Sequence, residues 1–140
     1  MHPIHLMMLR QSYEMFQPCG GALLASVVRR LGDDHPDVRA LLPEETRHLH
    51  DEWFATLGQV IRRADRFSML EAPLAKLGRE IGSTGATIRD YEIVRSELLG
   101  AMARLSGEDW TPELSRAWGL LLEAITGAML SGASQSRRAA

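Results

Sequence analysis

Leu114, Trp118, Leu121, Ile125 and Met129 recur at helical spacing behind Thr111-Pro112-Glu113, where a threonine can cap and a proline fits the first turn. A second stripe, Tyr91, Val94, Leu98, Met102 and Leu105, opens at Thr87-Ile88-Arg89-Asp90, which has the spacing of a capping box, and closes near Gly107. Two long helices with a short connection are expected to pack antiparallel. A third helix is predicted over 44–63, with Leu49, Trp53, Leu57, Val60 and Ile61 inward and Glu44 and Glu45 at its positive end. A shorter helix begins at Ser68-Met69-Leu70-Glu71 and loses coherence around Gly82-Ser83-Thr84-Gly85. The first third of the chain reads as helices over 4–17 and 19–31, then a short helical turn after His35-Pro36. These patterns predict one all-α domain over 1–131 and a flexible tail over 132–140.

Composition agrees with that class and narrows the partners. The 140 residues are 45% hydrophobic, enough for one sizeable core, and Leu, Ala, Arg, Glu and Met dominate over β-branched runs. A net charge of −2 without a block of like charge argues against nucleic acid and against an anionic membrane. Arg29-Arg30 and Arg62-Arg63 fall near predicted helix ends, where cations complement the helix dipole. The single Cys19 excludes an intramolecular disulfide, and Met1-His2-Pro3-Ile4 has no secretory character, so a cytoplasmic location is expected. No stretch approaches the roughly 20 apolar residues of a membrane span. The longest, Trp118 to Leu130, is interrupted by Gly119, Glu123, Thr126 and Gly127.

The stretch Gly107-Glu108-Asp109-Trp110-Thr111-Pro112-Glu113, followed by Ala117-Trp118, resembles the start of the last helix in bacterial globins of the single-domain and flavohaemoglobin type. In the same ungapped register, Asp90-Tyr91, Val94 and Leu98-Leu99 resemble the preceding helix, and Leu77-Gly78-Arg79 with Gly85 resembles the proximal helix and its turn. Pro36-Asp37-Val38-Arg39-Ala40-Leu41-Leu42 and Ser12-Tyr13 with Pro18 extend the likeness over residues 10–130. The resemblance implies a globin fold, a helical three-on-three sandwich.

The resemblance also implies a haem site, and the chain departs from it at each position that would serve the iron. Where the pattern Leu-Gly-x-x-His places the proximal ligand, Leu77-Gly78-Arg79-Glu80 is followed by Ile81, which has no lone pair to donate. The distal tyrosine position carries Val28, the porphyrin-wedging phenylalanine position Leu42, and the distal Gln or His position Leu49. One turn later stands Trp53, large enough to occupy haem space. These five residues define a vestigial haem pocket, and no cofactor is expected. An empty pocket would be costly at roughly 24 cal/mol per Å³, so the pocket is expected either to be refilled by Trp53, Leu49, Leu42 and Ile81 or to hold a ligand.

His48 and His50 project about 200° apart on a helix and cannot share a metal; either would face haem only if the register were shifted by one residue. His2 and His5 with Met7 and Met8 read as helix packing, and Gly82-Ser83-Thr84-Gly85 as a turn without a phosphate-loop lysine. No metal site and no catalytic Ser/His/Asp or Cys/His set is identifiable, so an enzyme is not expected. Three functions follow. One is a haem-free regulatory or scaffolding module of bacterial type that binds a protein partner or forms a homodimer, and a second is a sensor for a fatty acid or another apolar small molecule. An oxygen-binding globin with an unusual ligand is the third.

Overall fold

The helix boundaries written most plainly in the chain are realised by the hydrogen bonds that their residue types permit. Thr87 accepts from the Asp90 N–H at 3.4 Å while its own N–H donates to Asp90 Oδ2 at 2.8 Å, a reciprocal capping box that opens α6 (Ile88–Ser106). Gly107 stops that helix with φ of 55°, a conformation that favours glycine. Thr111 Oγ1 accepts from the Leu114 N–H at 3.1 Å and opens α7 (Pro112–Ala139).

The other helices are α1 (Pro3–Phe16), α2 (Gly20–Asp34), α3 (Pro36–Arg39), α4 (Arg47–Arg62) and α5 (Glu71–Gly82). Short 3₁₀ segments lie at Gln17–Cys19, Ala64–Leu70 and Gly107–Asp109. The computed structural model describes residues 3–42, 47–82 and 85–139, with side chains described outside 47–50, 80–82 and 133–139. There is no strand among the described residues, so the chain is all-α as its pattern predicts.

Three boundaries differ from expectation. Helix α2 runs to Asp34, which leaves Arg29 and Arg30 more than a turn inside it and puts Asp33 and Asp34 at the end where cations were expected. Helix α5 begins at Glu71 rather than Ser68, because the preceding 3₁₀ segment breaks at Arg66 (φ −128°, ψ 51°). The segment expected to be a tail from 132 continues α7 to Ala139, and Gly132 is buried. Glu44 and Glu45 lie outside the described residues.

Helix α7 packs on α1, α5 and α6, while α2 packs on α3, α4 and α6. Trp118, fully buried, ties α1 to α7: its Nε1–H donates to Ser12 Oγ at 3.0 Å, and its ring lies 6.2 Å from that of Phe16. A buried indole N–H needs such a partner. Tyr13 joins α1 to α4 by donating its hydroxyl to the Phe54 carbonyl at 2.9 Å and stacking on the Phe54 ring at 4.8 Å.

The tightest seam is between α5 and α7, whose backbones touch. A Cβ placed on Gly78 would fall on the carbonyl of Met129, and one on Gly132 would fall on the carbonyl of Ala75. Two reciprocal glycines therefore allow an approach that any side chain would prevent. Helices α4 and α5, by contrast, are connected through the Ala64–Leu70 segment rather than packed on one another.

Gly78→Ala and Gly132→Ala are each expected to destabilise the fold by about 1–3 kcal/mol or more, since backbone atoms cannot rotate aside. Gly127→Ala, where a Cβ meets nothing within 4 Å, should stabilise α7 by about 0.5–1 kcal/mol. Urea unfolding of the three variants checks this, and a neutral Gly78→Ala would show that the seam is looser than described. A second expectation concerns Tyr13, whose phenol is pushed above its ordinary value by burial, with the nearby Arg62 charge acting in the opposite direction. A raised value means that the native state keeps a proton which the unfolded chain releases first. Stability should therefore be full below pH about 10 and fall as the pH rises beyond it. Tyr13→Phe should lose about 1 kcal/mol at neutral pH for the missing hydrogen bond and show a flatter decline above pH about 10. An unchanged decline in Tyr13→Phe would place its origin elsewhere.

Candidate functional site

Because α5 is drawn onto α7 and not onto α4, a gap is left between these helices. It forms a cavity of about 510 Å³ that opens at the molecular surface. Its wall is mostly hydrocarbon: Leu24 from α2, Leu57 and Val60 from α4, Leu77 from α5, Leu98 from α6 and Ile125 from α7 all face it. Val38, Leu41 and Leu42 close the end near α3. Fully enclosed and empty, a void of this volume would cost about 12 kcal/mol, as much as the stability of a whole domain. An opening to solvent relieves that cost, and an apolar occupant would relieve it further.

Of the five residues assigned to a vestigial haem pocket, Leu42 and Trp53 lie on this wall, both half-buried. Val28 does not. It is half-buried on α2, its neighbour Val27 enters the core, and the wall takes Leu23 and Leu24 from the preceding turn. The side chains of Leu49 and Ile81, and those of His48 and His50, lie outside the described residues. Residue 81 belongs to α5, one turn beyond Leu77.

Of the four residues expected to refill the pocket, Trp53 and Leu42 have described side chains. Both belong to the wall of an open space, and Trp53, expected to be largely buried, is only half-buried. The reason is that the width of the gap is set by helix positions, and the glycine seam holds α5 away from α4.

The polar groups on the wall are Glu52, Thr56, Asp90, Tyr91, Arg95 and Thr126. Thr126 and Asp90 are committed within the fold. Thr126 donates its hydroxyl to the Leu122 carbonyl at 2.8 Å. Asp90 serves the capping box and lies 3.7 Å from Arg89 Nη1. Arg89 also donates to Asp37 Oδ2 at 3.1 Å, joining α3 to the start of α6 beside the cavity; this hydrogen bond is the main cause that holds the Asp37 carboxyl below its ordinary value. The pair is solvent-exposed, so its contribution is small and screened by salt.

The described wall carries no histidine and no cysteine. Tyr91 offers a phenol and Met129 a thioether, neither at the position that the globin resemblance aligns with the proximal ligand. This donor set does not fit an imidazole-held haem iron. Among the described residues no three His, Cys, Asp or Glu side chains gather as a metal site. No helix among the described residues is long and apolar enough to cross a membrane.

Sequence reasoning assigned none of Leu74, Leu77, Arg95, Thr126 and Met129 to a site, although all five line the cavity. Met129 was visible as a periodic apolar position and Leu77 through the resemblance, but periodicity does not separate the wall of a cavity from a filled core. No family model matches the chain.

Trp53→Ala is expected to cost about 2 kcal/mol, roughly half the loss seen when a fully buried Trp is truncated, because one side of the ring already faces open space. The substitution should also widen the cavity. Thermal unfolding checks this, and a loss below about 0.5 kcal/mol would mean that Trp53 is a surface residue with no part in the wall.

Proposed function

We propose that this chain is a haem-free, globin-fold regulatory module of bacterial type whose cavity holds an apolar small molecule, and which passes that signal to a protein partner. The observation that carries the reading is the open, hydrocarbon-walled cavity of about 510 Å³. Its volume falls within the roughly 300–1,000 Å³ range of small-molecule pockets. The order of globin-like motifs along residues 10–130 supports the fold assignment, and Ile81 at the proximal position supports the absence of haem. Binding, not catalysis, is the proposed activity, in the cytoplasm. A purely scaffolding role would need no cavity, so the sensor reading accounts for more of the molecule.

A neutral fluorescent probe, N-phenyl-1-naphthylamine, should bind the folded protein at one saturable site. At about 100 times its dissociation constant it should add about 2.7 kcal/mol of stability. Leu98→Trp, which places an indole in the gap, should weaken that binding at least about tenfold. Failure of the folded protein to bind the probe would reject the ligand-holding role. Haem added under the same conditions should give no sharp Soret band that survives desalting. A retained stoichiometric band would reject the haem-free reading, and its loss in His48→Ala or His50→Ala would identify the ligand.

A further inference from the structure

Arg95 stands out among the polar groups around the cavity. It lies on α6 between Tyr91 and Leu98, which also line the wall, and it is half-buried. Among the described residues it makes no ion pair, although the wall also carries Glu52 and Asp90. Asp90 already has its oxygens on the Thr87 backbone and hydroxyl and on Arg89. Glu52 is exposed and satisfied by solvent.

A guanidinium stays charged at any ordinary pH and carries five N–H donors in a planar fork that matches a carboxylate. When such a group is half-buried beside hydrocarbon, its donors are poorly served by water and its charge is strengthened by the low dielectric of its surroundings. The hydrocarbon of the wall offers it no acceptor, and neither Glu52 nor Asp90 pairs with it. An acid group on the occupant would.

Building on the ligand-holding reading above, we propose that the cavity selects a monoanionic amphiphile: a hydrocarbon body against the Leu24, Leu57, Leu77, Leu98 and Ile125 wall, and a single carboxylate-like head paired with Arg95. The hydrocarbon supplies affinity through burial, and Arg95 supplies discrimination between head groups. Glu52 and Asp90, on the same wall, oppose a second negative charge and favour one acid group over two.

Three ten-carbon probes that share a tail and differ in the head, decanoate, decanol and decylamine, separate the contributions when each is used to displace N-phenyl-1-naphthylamine at pH 7.5. Decanoate should compete at a concentration at least about tenfold lower than decanol, the scale of one charge-assisted bidentate pair. In Arg95→Gln the ratio of decanoate to decanol should approach one while decanol competes as before, and Arg95→Glu should shift the preference to decylamine. Retention of probe binding and of the far-ultraviolet helical signal shows that each variant is folded. Equal competition by decanoate and decanol in the unmodified protein, a preference for decylamine, or a decanoate preference that survives Arg95→Gln would overturn the assignment of Arg95 while leaving an apolar-ligand cavity intact. Failure of all three probes and of N-phenyl-1-naphthylamine to bind would remove the underlying reading as well.

Discussion

The close approach of α5 to α7 is the constraint on which the remaining architecture depends. Helix α5 is only 12 residues long, a length at which an isolated helix is marginal in water, so it persists by what it packs against. It packs on α7, through Gly78 and Gly132, at a distance that only glycine permits. Once α5 is committed to that side, it cannot also close on α4. The cavity follows from where a helix is held, which is why Trp53 and Leu42 line it instead of filling it.

Around this gap the helices are anchored by two buried junctions. Trp118 and Ser12 fix α1 on α7, Tyr13 and Phe54 fix α1 on α4, and each buried polar atom in these two junctions has its partner. The Thr87 and Asp90 capping box sets where α6 begins, and so which of its residues reach the gap: Tyr91, Val94, Arg95 and Leu98. An apolar wall mounted on well-anchored helices is preorganised, and little ordering cost remains for an occupant to offset.

What could be read from the chain was what local rules encode. The capping residues Thr87 and Thr111, the stop at Gly107 and the stripe of α7 appear at the positions that their chemistry dictates, whereas the last member of the α6 stripe, Leu105, is exposed. The end of α2 and the start of α5 were displaced by a few residues because Gly32, Asp33, Asp34 and the kink at Arg66 carry no strong local signal. The site was legible only in part. Leu42 and Trp53 were reached through the globin resemblance, whereas Val28 lies off the wall because the resemblance aligns residues but not the exact turn of α2 that borders the gap. Arg95 was invisible in sequence, since a lone arginine in a stripe reads as a solvated residue until the neighbouring helices are in place. Gly132 read as part of a tail because its role depends on Ala75, more than fifty residues away in the chain.

Proteins do not generally maintain an open apolar space of this size without an occupant, since exposed hydrocarbon is both costly and prone to association. The central claim is therefore spatial: an apolar molecule enters between α4 and the α5, α6 and α7 group. Side-chain methyl NMR during a titration with decanoate tests it most directly. The account predicts saturable shifts concentrated at Leu57, Val60, Leu77, Val94, Leu98 and Ile125, with the buried Leu9 and Leu121 methyls of the α1 and α7 core unmoved. Shifts confined to exposed side chains such as Ile4, Ile88 and Leu120, or no saturable shifts at all, would contradict it.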